Sequence, residues 1–254
     1  NIDAGKLMPR NFGMQIPIYM GISHNSATPE YDPYDLDVKL KDKLKASPKD
    51  IQDSIKREAV DETTIKTITL TNVKKLKLNN KRPRFWDISN FDFNYSYTNI
   101  KRKNPLIDFD EVKRTRGAIA YNYAPQPKYF EPFKSLIKSN SKWLAFIKDF
   151  NLNYAPAQVS LKGDVFRQFG ALQPKNVGGG PYKIPESYDK YFTFDRYFIL
   201  RWDLTKSVSM DYNAINNARV DERYGRINTK EKKDTVRKNF FDGGRNTRFH
   251  QDVT

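Results

Sequence analysis

The side chains best able to do chemistry are few and poorly grouped. The chain has no cysteine, so nothing rests on disulfides or thiolate–metal bonds. Its two histidines, His24 and His250, stand far apart in sequence. A metal site needs several converging ligands, so His24 reads as a loop or strand-end residue. Gly178-Gly179-Gly180-Pro181 is glycine-rich. A phosphate loop also needs a following Lys-Ser or Lys-Thr and a helix start, and this stretch has neither. Asp32, Asp35 and Asp37 have the carboxylate density of a calcium loop but not its central Gly and closing Glu. Pro33 beside them suits a turn. No Ser-His-Asp pattern is present. The expectation is a protein that is not an enzyme and that uses no cofactor and no metal. The densest basic run is Lys74-Lys75-Leu76-Lys77-Leu78 with Lys81, Arg82 and Arg84. It either attracts acidic headgroups or cargo, or is a solvated strand end.

If chemistry at single residues is not the business of this chain, its elements must carry the function. Only 38% of the 254 residues are hydrophobic, and the mean hydropathy is −0.79. Yet 17 Phe, 15 Tyr and 3 Trp are too many for a chain that buries no surface. A transmembrane β-barrel reconciles the two, because alternate residues face lipid and a wet lumen. No run approaches the roughly 20 apolar residues of a membrane helix, so a membrane would be crossed by strands. The net charge of +15 admits nucleic acid or an anionic surface. The charges are scattered, however, which suits lumen walls, loops and headgroup contacts, and no nucleic-acid partner is expected. The chain opens at Asn1 without Met or a visible signal peptide, and the expectation is an internal fragment of a longer protein.

The alternation itself is direct. Phe91, Phe93, Tyr95 and Tyr97 share one side of a strand, with Asp92, Asn94, Ser96 and Thr98 on the other. Phe146, Phe150, Leu152 and Tyr154 alternate with Asn151 and Asn153. Val159 and Leu161 alternate with Ser160, Lys162 and Asp164. Phe192, Phe194, Phe198, Leu200 and Trp202 form a row broken by Arg196. Val208, Met210 and Tyr212 alternate with Ser209, Asp211 and Asn213. The apolar rows are expected to face lipid and the polar rows the lumen. Met14 to Ile22 gives a first strand, where Pro17 suits an edge position. Weaker strands fall near residues 65–73 and 117–124, for about eight in all.

Residues 154–157 and 203–206 read as tight hairpin turns, on the periplasmic side by the usual rule. The regions are a first barrel strand (1–25), a long loop with one short helix (26–63), antiparallel barrel-wall strands and loops (64–220), and a polar loop or tail (221–254). Ser47 as N-cap and Pro48 at the first helical position mark the helix. Phe133, Leu136 and Ile137, with Trp143 as anchor, form either a short interfacial helix or a rim loop. A soluble β-rich module binding glycan or nucleic acid would alternate too. Its buried face would mix in more Val, Ile and Leu, whereas Phe and Tyr dominate here, as in aromatic girdles. The fold class expected is all-β, a sector of an antiparallel transmembrane β-barrel with long polar loops.

Several segments resemble the SprA/Sov family. They are Tyr31-Asp32-Pro33-Tyr34-Asp35 with Lys39-Leu40-Lys41-Asp42, Asn94-Tyr95-Ser96-Tyr97-Thr98 with Arg102-Lys103-Asn104-Pro105, and Gly117 with Tyr121-Asn122-Tyr123. Phe150-Asn151-Leu152-Asn153-Tyr154, Phe192 to Arg196 with Trp202, and Ala218-Arg219-Val220-Asp221-Glu222 are similar too. The resemblance implies a very large barrel in the bacterial outer membrane, the translocon of the type 9 secretion system, which also serves gliding motility. It implies secreted protein cargo, plug and capping subunits, and outer-membrane lipid as partners. Another outer-membrane barrel, such as a nutrient transporter, is the competing membrane reading.

Overall fold

A computed structural model describes residues 2–77, 84–137, 142–178 and 181–254. Leu78, Lys81 and Arg82 of the basic run, and Gly179 and Gly180, lie outside the described residues, as does the side chain of Phe146. Eight long strands follow in order: β1 Pro17–Ala27, β2 Asp61–Lys75, β3 Phe91–Asn104, β4 Ile107–Tyr123, β5 Gln158–Pro174, β6 Ser187–Asp203, β7 Ser209–Arg219 and β8 Arg245–Val253. Each pairs antiparallel with its predecessor, so the sheet is an up-and-down meander in sequence order. Short segments at Ile2–Asp3 and Met14–Gln15 pair with β1 and β2. Pro17 opens β1 at this margin, where its missing N–H costs least. Among the described residues β1 and β8 do not pair with each other, so the sheet is open rather than a closed barrel.

The sheet is a single layer. A compact protein of 29.7 kDa exposes about 11,600 Å². This one exposes 18154 Å², because no second sheet covers either face among the described residues. A soluble sandwich would need that second layer.

Four α-helices replace the single one expected: α1 Leu40–Ala46, α2 Lys49–Ala59, α3 Lys142–Lys148 and α4 Lys230–Phe241. Pro48 is the N-cap residue of α2, while Ser47 instead closes α1, its N–H bonded to the Leu44 carbonyl. The expected strand through Phe150, Leu152 and Tyr154 is not there. Helix α3 takes its first half, and only Leu152–Asn153 pairs, with Tyr129–Phe130. The cause is geometric: Trp143 and Ile147 are four apart and Leu144 and Ile147 three apart, the spacing of one helix face. Residues 221–254 are no featureless tail, since they hold α4 and β8.

The turn after β6 is where it was expected, with Asp203 paired to Ser209, but Val208 lies in the turn rather than in β7. The expected turn at Ala155-Pro156 joins no hairpin of the main sheet. A tighter one joins β3 to β4 through Pro105-Leu106, where the Asn104 side chain accepts from the Leu106 N–H at 3.0 Å. These two short turns lie at opposite ends of the meander, so turn length does not orient it.

Candidate functional site: two opposed sheet faces

Registers fix which side chains share a face, because directly paired residues point the same way. One row runs Tyr123, Val159, Leu200, Tyr212, Val253. The next runs Phe91, Tyr121, Leu161, Phe198, Ala214. A third holds Val73, Phe93, Ile119, Gly163 and Arg196. A fourth holds Ile18, Leu70, Tyr95, Gly117, Val165 and Phe194. A fifth holds Met20, Ile68, Tyr97, Thr115, Arg167 and Phe192. The pattern then turns charged, with Lys66, Asn99, Lys113 and Lys190 in the sixth row and Lys101 and Glu111 in the seventh. The aromatic rows expected on β3, β5, β6 and β7 thus meet on one face, hereafter the aromatic face. Much of it touches nothing: Phe93 and Phe198 are each 38% exposed and Met20 is 67% exposed.

The opposite face carries the rows expected to be polar: Asp92, Asn94 and Ser96 on β3, Ser160, Lys162 and Asp164 on β5, and Ser209, Asp211 and Asn213 on β7. Cross-strand pairs lace it together. Arg116 grips Asp164 through two bonds of 2.9 and 2.7 Å, and Lys162 stands 3.6 Å from the same carboxylate. Ser160 donates to Asn122 at 2.7 Å, Asn217 to Asp195 at 2.8 Å, and Arg114 to Gln168 at 2.9 Å. Such pairs keep the polar side chains on the sheet surface, interspersed with Phe166, Tyr191, Tyr197, Ile199 and Ile215 on the same face.

Three expected positions differ. Phe192 is buried, because Phe240 of α4 stacks on it with centroids 5.9 Å apart and planes 12° apart. Asn153 is buried at the sheet end, its carbonyl accepting the Trp202 indole N–H at 2.9 Å. Asn151 lies in the same connection, where its side chain accepts from the Lys206 N–H. Both asparagines belong to a cap on the β6–β7 turn rather than to a strand. Glu131 ties that cap down. Hydrogen bonds from Lys134 and Lys206 hold its carboxyl at about 2.

Sequence reasoning missed α4 and what it does. The 220–244 connection folds back over the aromatic face near its charged rows. Glu222 pairs with Arg167 at 2.6 Å and Lys190 at 3.8 Å. Phe240 covers Phe192 and Phe194, and Arg196 donates to the Gly243 carbonyl just past the helix end. A cation there suits the negative end of a helix. That explains the lone Arg in a row of aromatics, and the row's interruption was its only signal in the sequence. Among the described residues no group of three or more His, Asp or Glu is placed to hold a metal ion.

The geometry defines a class: an uncovered, two-faced antiparallel meander with an apolar band on one side and paired polar groups on the other. Residues 1–44 match the SprA_N family model, described as a motility related/secretion protein. That stretch contains β1 and two of the segments quoted for the resemblance, Tyr31 to Asp35 and Lys39 to Asp42. The match supports a protein related to motility or secretion. No curated protein matches the chain.

Proposed function

We propose that this sheet is a stretch of wall in a protein-conducting outer-membrane β-barrel of the type 9 secretion system. Its aromatic face would meet lipid and its polar face a hydrated lumen. The observation that carries the reading is the uncovered apolar band. Five rows at two residues per step extend about 27 Å along the strands. Tilted by roughly 40°, they stand about 20 Å along the membrane normal, close to the ~25 Å band of known outer-membrane barrels. Strands β4, β5 and β6 have 17 residues each, more than the 9–11 a bilayer needs, so their charged rows project beyond it. The lumen side would offer passing cargo mostly hydrated, already-paired groups, with Tyr191, Ile199 and Ile215 interspersed. The family match at residues 1–44 supports the secretion and gliding-motility context. Cargo proteins, plug and capping subunits and outer-membrane lipid are the partners of this reading, and catalysis and nucleic acid have no part in it.

These 254 residues contain no cysteine, so the test needs a background in which any cysteine elsewhere in the full-length protein is replaced by serine. Single substitutions Phe93→Cys, Phe198→Cys, Asn94→Cys and Ser160→Cys are placed in the full-length protein in its membrane. A membrane-impermeant maleimide should label the Asn94 and Ser160 positions and leave the Phe93 and Phe198 positions to a bilayer-dissolved reagent. Equal labelling of all four by the water-soluble reagent would refute the wall reading.

A further inference from the structure

The aromatic face is not flat. Gly117 and Gly163 are diagonal neighbours on adjacent strands in its middle rows, and at Gly117 a side chain would meet nothing within 4 Å. Together they leave a trough whose floor is β4 and β5. One wall is Phe93 and Tyr95 and the other is Phe192, Phe194 and Phe240. This upper part encloses about 480 Å³ and ends at Thr115 and Arg167. A second part of about 320 Å³, lined by Phe91, Tyr121, Leu161 and Phe198, shares Ile119 and Gly163 with the first. The two make one groove along the strands. From Arg167 to Leu161 it covers six residues, about 20 Å, enough to cross one leaflet's share of a ~30 Å hydrocarbon core.

We propose that this groove is a binding site for one acidic phospholipid, its acyl chain lying over Gly117 and Gly163 and its phosphate at the Arg167 end. The proposal rests on the wall reading and specifies what that wall binds. Two observations select a lipid. The lining is mostly apolar, with Arg167, Lys162 and Arg196 the charged residues along it, and the floor strands are mid-sheet, with their backbone groups already paired to neighbours. A peptide laid there would leave its own amides unsatisfied, at a cost of several kcal/mol each in hydrocarbon, whereas an acyl chain has none. The Arg167 end is positive on balance, with four cations, Lys101, Lys113, Arg167 and Lys190, sharing two carboxylates, Glu111 and Glu222. Helix α4, packed beside that end through Phe240, is basic on balance, with Lys230, Lys232, Lys233, Arg237 and Lys238 against Glu231 and Asp234.

Native mass spectrometry of the full-length protein in mild non-ionic detergent tests this, with palmitoyl-oleoyl phosphatidylglycerol, the matching phosphatidylcholine and inorganic phosphate as probes. The comparison is between the wild type and variants. Ile119→Trp and Gly117→Leu both fill the groove from its floor on β4, the first from a position that is already exposed. Each should lower phosphatidylglycerol occupancy about tenfold, a loss of ~1.4 kcal/mol. Arg167→Gln should remove the preference over phosphatidylcholine, and phosphate alone should not bind. Unchanged phosphatidylglycerol occupancy in both filled variants would overturn the site. So would wild-type protein holding phosphatidylcholine equally well, or phosphate binding that persists without a chain. If the protein stays monomeric without detergent, the wall reading itself has failed. If it needs detergent but ignores the filled groove, only the lipid site has.

Discussion

Asn72 has φ of +51° and lies where the β2–β3 register shifts, between Leu70 and Val73. Its N–H donates to the Asn94 side chain at 2.8 Å. The extra residues let Val73 rejoin the aromatic face after Leu70, so one left-handed residue keeps an apolar row in phase. Asn tolerates that conformation and a β-branched residue does not. Asn72→Val should therefore cost about 1–2 kcal/mol, while Asn72→Gly should cost little, readable as a shift in unfolding temperature for the first and almost none for the second. Glu131 makes a pH prediction. Its native carboxyl ionises at about 2 against an ordinary 4.5. A depressed carboxyl stabilises fully above its unfolded value and loses that stabilisation as pH falls. The cap on the β6–β7 turn should thus hold above about pH 4.5 and loosen toward pH 2. Hydrogen exchange at residues 129–134 and 204–208 should rise over that range, and Glu131→Gln should show the acid pattern at neutral pH.

Helix α4 is held by few but large contacts. Phe240 touches both Phe192 and Phe194, and Thr229 caps the helix start by accepting from the Lys232 N–H. Phe240→Ala should forfeit roughly 1.5–3 kcal/mol of local burial and release α4 without unfolding the sheet. Hydrogen exchange should accelerate in residues 230–241 and stay unchanged in β5 and β6. What was legible in the sequence follows from the same elements. Alternation shows only where the two faces differ in polarity, as from Phe91 to Tyr97 and from Phe192 to Trp202. In the first half of β4, Ile107 to Arg116, both faces carry charge, so half of a 17-residue strand left no hydrophobic rhythm. Strand β8 was hidden for the same reason, with only Phe249 and Val253 large and apolar. The phase of each legible strand could be read one strand at a time. That the rows meet on one face needed the registers. Helix α4 was invisible because its polar residues have no strong period, and Phe240 matters only through partners some fifty residues away.

At the scale of the whole molecule, an apolar band without a second layer cannot stay in water unattended. Under the wall reading, detergent removal should drive the protein into aggregates while its circular dichroism stays strand-rich. A stable monomer in plain buffer would contradict that. The margins are as telling as the faces. Strands β1 and β8 bound the sheet, and all nine residues of β8 are exposed. Unpaired strand margins are expensive in hydrocarbon, so a wall segment must find neighbours on both sides there.

The meander order bears on how such a wall is built. Each strand docks on the one made just before it, so contacts form between near neighbours in the chain, the arrangement that closes fastest. At every stage of construction only the newest and oldest strands stay unsatisfied. That penalty is the same for three strands as for thirty. A sheet of this order can be lengthened almost without limit, which under the wall reading makes the circumference of the pore a free variable.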